Sequence, residues 1–175
     1  AWRQDVSVVP QLPFLFSESL AENVAMGDMN EERMLQAVHT AALGPDLQAL
    51  PDGVNTLVGQ KGIMLSGGQR QRTALARGLY RETRCLVLDD VLSAVDHGTE
   101  QRLIEALEAR SNAKDPQDRP TTLLVSNRVS ALHHADLILV LDEGHLVDQG
   151  THSELTQRPG FYQDAWKHQA GGDEP

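Results

Sequence analysis

Four apolar residues, Cys85-Leu86-Val87-Leu88, run straight into a pair of acids, Asp89-Asp90. A short continuous apolar run with charge only at its end is the pattern of a strand buried on both faces. Parallel sheets covered by helices contain such strands. Val6 to Val9, stopped by Pro10, and Thr121 to Ser126 read the same way. Helical segments fall between them. Ser17 to Ala25 is one. Asn30 to Leu43 is another, with Asn30 as N-cap, Glu31 and Glu32 in the first turn, and Met34, Leu35, Val38, Ala41 and Ala42 at helical spacing. Gly44-Pro45 breaks it, and Thr56 to Val58 reads as a weak strand. A helix from Ser66 to about Arg81 opens with Gln69 three residues after Ser66, a capping-box pattern. Gly98 to Arg110 is amphipathic through Leu103, Ile104 and Leu107; Ser111 to Pro120 is a polar loop; and Arg128 to His134 is helical. Leu137 to Leu141, the turn Asp142-Glu143-Gly144 and His145 to Asp148 predict a hairpin, with two short helices between His152 and His168. Alternating strands and helices give an α/β chain with a largely parallel sheet.

Composition removes several classes. With 15 Lys+Arg against 25 Asp+Glu the net charge is −10, which opposes a nucleic-acid binder held by counterion release. A 40% hydrophobic content supports a real core. The single cysteine, Cys85, excludes a disulfide framework within the chain and fits a reducing compartment. No run approaches the ~18 apolar residues of a membrane-spanning helix. The charge is uneven: Arg70, Arg72, Arg77, Arg81 and Arg84 face one acid, Glu82, between Ser66 and Arg84, whereas the chain after Ala131 is acidic. His133-His134 has no neighbouring Cys or carboxylate cluster in the sequence and reads as exposed surface.

Two patterns carry chemistry. In Leu65-Ser66-Gly67-Gly68-Gln69 two glycines stand at a helix start, where free amides and the helix dipole favour an anion that can approach the backbone closely. An acid at the end of a buried strand, here Asp89, is well placed to hold Mg²⁺ on a nucleotide phosphate. In this order and spacing the sequence resembles the ATP-binding-cassette (ABC) ATPase family, from Val6 to Trp166. Gln11 looks like the family's Q-loop, Leu65 to Arg70 matches its signature motif and Leu86 to Asp89 its Walker B strand. Ser93-Ala94-Val95-Asp96 matches its D-loop, and Ser126-Asn127-Arg128 stands at its switch-histidine loop. Phe14 to Val24 and Thr56-Leu57-Val58-Gly59 resemble the exporter branch, and multidrug-resistance-like half-transporters in particular.

The resemblance implies a P-loop-type core with an incomplete parallel sheet and a helical signature subdomain. Residues 17–84 would be the helical part, 1–16 and 85–150 the sheet core, and 151–170 the C-terminal helices, followed by a disordered tail over 171–175. It implies ATP and Mg²⁺ as ligands, with Asp89 and Gln11 on the metal. Ser66, Gly67, Gly68 and Gln69 would act on the ATP of a facing cassette, and Ser93 and Asp96 would lie at that interface. The implied setting is the cytoplasmic face of the cell's inner membrane, with a transmembrane domain and a second half-transporter subunit as partners and no nucleic acid. Gly59-Gln60-Lys61-Gly62 falls where exporters carry a membrane-facing contact loop. Phe14, Leu15 and Phe16 are expected mainly in the core, with one of them available to the membrane domain.

Three departures sharpen the expectation. The lysines are Lys61, Lys114 and Lys167, and none ends a Gly-rich turn as Gly-Lys-Ser/Thr does. The family places that loop upstream of the Q-loop, so the chain is expected to be a C-terminal fragment that binds ATP very weakly by itself. The family's general-base Glu is matched by Asp90, and its switch His by Asn127. Both changes weaken one site while the signature is intact. The expected role is therefore the degenerate-site half of a heterodimeric exporter, an ATPase in the intact assembly. The alternatives are a regulatory cassette that lends only its signature to a competent partner site, or an inactive truncated product.

Overall fold

The computed structural model describes residues 4–59, 62–93, 95–111 and 119–170. Gln60, Lys61 and Ala94, most of the polar loop after Ser111 and the tail over 171–175 lie outside them. By internal contacts the chain divides into two units, Ala1–Val125 and Ser126–Pro175.

The first unit is built on three parallel strands in the order β1 (Val6–Val9), β2 (Cys85–Asp89), β3 (Thr121–Val125). Val8 pairs with Val87 and Val87 with Leu123, so these three share a face. The alternate residues Ser7, Val9, Leu86 and Leu88 are buried on the other. Helix α4 (Gly67–Tyr80) lies on that buried face at Gly78, where an added Cβ would collide with Val9. Helix α5 (His97–Ser111) buries Leu103 and Leu107, and Ile104 is half-buried.

The helical layer comprises α1 (Leu20–Ala25), α2 (Glu31–Thr40) and α3 (Gly44–Gln48), with α1 and α2 packed on α4. Asn30 caps α2 as expected, accepting from the Arg33 amide at 3.0 Å. Met34, Ala37, Val38 and Ala41 form its buried stripe. Leu35 is 47% exposed and so not part of that stripe, because one residue past Met34 rotates it about 100° away. Helix α1 starts at Leu20, later than Ser17, because Ser19 is its cap, accepting from Glu22 at 3.1 Å. Thr56 to Val58 forms no strand but makes isolated bridges, Ser19 with Leu57 and Val58 with Ile63. Gly59, at φ +88, turns the chain before a ladder can extend.

In the second unit, β4 (Ile138–Asp142) and β5 (His145–Gly150) form the expected hairpin. Glu143 and Gly144, at φ +45 and +78, make a two-residue turn whose twist matches the strands. Arg128 to His134 shortens to a single 3₁₀ turn, Val129–Leu132. Helix α6 (His152–Gln157) opens with a Thr151–Glu154 capping box, and α7 (Phe161–Ala170) follows. Val129, Ile138, Val140, Leu155 and Tyr162 form the core, with Trp166 packed on it. Tyr162 and Trp166 therefore pack the tail, as read from the sequence.

Candidate nucleotide site

Helix α4 begins with a complete capping box. The Ser66 Oγ accepts from the Gln69 amide at 3.2 Å, and the Gln69 Oε1 accepts from the Ser66 amide at 2.9 Å. Gly67 and Gly68 are the first helical residues, so their N–H groups have no acceptor one turn back. A Cβ on Gly67 would meet nothing within 4 Å, so the space beside that glycine is open. The Ser66 hydroxyl proton stays available to donate, because the cap uses only an oxygen lone pair.

The end of β2 gathers the second group. Asp89 closes the strand with an exposed carboxylate. Asp90 leaves it in the left-handed region, φ +48, which Asp tolerates better than most residues. Its amide donates to the Val125 carbonyl at 3.0 Å, and its own carbonyl accepts from the Ser93 hydroxyl at 2.8 Å. The Asp90 Oδ2 accepts from the Gln11 Nε2 at 3.1 Å, joining two residues 79 apart in the chain. The other oxygen, Oδ1, is buried and receives no donor. Such an oxygen costs about 1–3 kcal/mol unless something supplies a proton to it.

Asp96 takes a local role. It accepts from the Thr99 amide at 3.0 Å and the Thr99 hydroxyl at 2.7 Å, capping α5. The Thr99 hydrogen bonds hold its carboxyl below the usual carboxylate range. Asn127 lies in the second unit with an exposed side chain. Its carbonyl accepts from the Gln169 Nε2 at 2.8 Å, and the Gln169 Oε1 accepts from the Val129 amide at 2.8 Å. One side-chain amide on α7 thus clamps both sides of the loop that bears Asn127.

Several braces were invisible in the sequence. Asn23, fully buried, accepts from the Phe16 amide at 2.8 Å and donates to the Phe16 carbonyl at 3.0 Å. Arg77 donates to the Phe14 carbonyl at 2.9 Å and the Asn23 carbonyl at 2.7 Å. Burial pulls its guanidinium below the usual arginine value. Gln71 reaches the Pro10 carbonyl at 3.3 Å. The segment after Gln11 is thus tied to the helix that carries the signature. Arg70 bonds the Leu65 carbonyl at 2.8 Å, and Arg72 bonds Asp46. The arginine cluster therefore includes three structural braces rather than a set of free cations. Phe14 and Phe16 are 69% and 43% exposed and meet edge to face at 5.2 Å, so neither belongs to the core. His133 and His134 are exposed as expected, with His133 against the His152 ring at 4.2 Å. Among the described residues no group of three or more His, Cys, Asp or Glu converges on a metal position.

The family model described as "ABC transporter" matches residues 1–93, and relatives about 40% identical span nearly the whole chain. The chain belongs to the ABC transporter family. It is 40% identical over 171 residues to the multidrug resistance-like ATP-binding protein MdlA of Buchnera aphidicola, covering 96% of this chain and 28% of that protein. It is 41% identical over 166 residues to YheI of Bacillus subtilis, a probable multidrug resistance ABC transporter ATP-binding/permease protein, covering 94% and 27%. The ATP-dependent lipid A-core flippase of Burkholderia pseudomallei is 40% identical over 161 residues, 91% of this chain and 26% of the flippase. Among solved structures, a bacterial Atm1-family ABC exporter with ATP bound superposes with a TM-score of 0.83 at 35% identity, covering 96% of this chain and 29% of that one. The cassette's fold is accordingly that of a P-loop ABC ATPase. The chain spans little more than a quarter of the length of these relatives.

ATP with Mg²⁺ is what the family implies, and the residues present fit it. Mg²⁺ on a nucleotide needs only one or two protein ligands beside phosphates and water. The exposed Asp89 carboxylate and the side-chain oxygen of Gln11 are donors of the kind such an ion takes.

Proposed function

We propose that this chain is an ATP-binding cassette component of a membrane exporter, and the degenerate-site half of a heterodimer. One observation carries the reading: a complete, outward-open signature cap sits in the same chain as an Asp at the base position and an Asn at the switch position. The bound Mg-ATP would supply the phosphoryl group, its electrophilic phosphorus polarised by the metal. Asp89 and Gln11 would hold the metal, and the Asp90 carboxylate would take a proton from the attacking water. Asn127 would donate a hydrogen bond to the terminal phosphate, without the titratable proton of a His. Asp is one methylene shorter than Glu, and a misplacement of ~1 Å costs about 10²-fold in rate. This side would therefore turn over slowly.

The signature would work in trans. The Ser66 hydroxyl and the Gly67 and Gly68 amides form a cradle for anionic oxygen, and together with Gln69 they would complete the site on a partner subunit's ATP. Ser93 and Asp96 flank the end of β2 and would lie along that interface. The partners are then a second, catalytically complete ABC subunit and a transmembrane domain, with the cassette at the cytoplasmic face of the inner membrane. The relatives' names, a multidrug resistance-like protein and a lipid flippase among them, support export as the work performed.

ATP turnover of the transporter subunit that carries this chain, purified alone and with its partner, tests the reading. The complex should hydrolyse ATP far faster than the lone subunit. Equal rates would defeat the heterodimer.

A further inference from the structure

Helix α3 has no apolar face in the core, yet it sits against the start of α4 through one carboxylate. Asp46 Oδ2 accepts from Arg72 Nε at 3.0 Å and Nη2 at 2.7 Å, and Asp46 Oδ1 accepts from Gln69 Nε2 at 3.2 Å. The Asp46 and Arg72 side chains are only 18% and 19% exposed. The direction of every bond in this chain of contacts is fixed. Arginine can only donate, and a carboxylate flanked by it accepts on both oxygens, so Gln69 must turn its NH₂ toward Asp46. That leaves Gln69 Oε1 as the acceptor for the Ser66 amide at 2.9 Å. Were the Gln69 amide reversed, its NH₂ would oppose the Ser66 N–H, and the capping box would open.

We infer that Asp46 is a positioning residue for the signature: held by Arg72, it sets the Gln69 amide, and through it the backbone of Ser66 from which the cradle projects. The inference rests on the signature acting on nucleotide, as proposed above. It assigns Asp46 no contact with the nucleotide. Its role is to hold one orientation of a cap that has two.

The test is a rate cycle in the assembled transporter. Asp46→Leu should lower the ATP turnover number about tenfold with little change in KM, because the cradle matters most when charge develops on the phosphate. Gln69→Leu should lower it about as much. The double variant Asp46→Leu/Gln69→Leu should be no worse than Gln69→Leu, since the two act in one chain. A control removes the stranded charge: Asp46→Leu/Arg72→Leu should regain melting temperature over Asp46→Leu while turnover stays low. Losses that multiply to about a hundredfold in the first double would overturn the inference, as would wild-type turnover in the second double or in Asp46→Leu itself. Gly68→Asp separates the two levels. If it too turns over at the wild-type rate, the signature reading fails and the inference falls with it. If it is inactive while Asp46→Leu is normal, the inference alone fails.

Discussion

Asp90 combines three properties that seldom meet in one side chain. Its backbone lies at φ +48, one carboxylate oxygen is bonded to Gln11 at 3.1 Å, and the other is buried without a donor. Strain and an unsatisfied acceptor at the end of a strand are tolerable where a bound ligand resolves them. Under the proposed function the side chain is short for a general base, and Asn127 cannot take up a proton. Restoring one defect leaves the other, so Asp90→Glu alone should raise phosphate release from this chain's own side only slightly. Asp90→Glu with Asn127→His should raise it well beyond the single variant. Steady-state phosphate release from an assembly whose partner site is inactivated would measure both. Equal rates for the single and double variants would show that the switch position is not limiting.

At the scale of elements, the close approach of α4 to the sheet depends on Gly78. Val9 is β-branched and 1% exposed, so it cannot swing away from a new methyl group. Gly78→Ala should cost about 1–3 kcal/mol, seen as a lower melting temperature with the capping residues unchanged. In the second unit, His152 stacks edge to face on Trp166 at 4.9 Å, and its Nδ1 bonds the Tyr162 hydroxyl at 2.9 Å. Burial, then the neighbouring His133 and His134, hold its pKa below the ordinary 6.5. Tyr162 is pushed up to about 12 by burial and stays neutral throughout. Folding therefore disfavours the His152 proton. The unit should be most stable above about pH 6.5 and lose stability as pH falls below it, levelling off under the folded-state pKa. The protection factors of amides in α6 and α7, with the intrinsic pH dependence of exchange divided out, should fall between about pH 7.5 and pH 5.5, and His152→Phe should flatten that component. An unchanged dependence would place the titration elsewhere.

These elements also show what a sequence can disclose. The Ser66–Gln69 and Asn30 caps were legible because donor and acceptor lie three residues apart. The end of β2 is legible because an unbroken apolar run stops at two acids, but only the Leu86 and Leu88 face is buried: Val87 shares its face with Val8 and Leu123, which are 58% and 52% exposed, so the expected burial on both faces is not found. Leu35 lies off the buried stripe: helical spacing alone does not say which edge of the stripe meets another element. The Thr56 to Val58 strand failed because its pairing depends on Glu18 to Leu20, nearly forty positions away. Asp46 and Gln169 gave no signal for the same reason: their partners Gln69, Arg72 and Asn127 lie 23, 26 and 42 residues distant. Side-chain bonds over such separations leave no period or spacing to read.

For the whole molecule, the net charge of −10 is unevenly spread, positive over the arginine-bearing signature helix and negative on either side of it, the C-terminal third included. Arg70, Arg72 and Arg77 brace the loops around α4, so the anion preference of the signature rests on its amides and helix dipole more than on free cations. In the proposed function one chain serves two nucleotides, with Asp89, Asp90 and Gln11 at a slow site and Ser66 to Gln69 at a fast one. That division is tested most directly by a pair of substitutions, Gly68→Asp and Asp90→Asn, made separately in this chain within the assembled transporter, with steady-state ATP hydrolysis as the readout. Gly68→Asp should abolish turnover, while Asp90→Asn should leave it nearly unchanged. Loss of turnover in Asp90→Asn with normal turnover in Gly68→Asp would contradict that division.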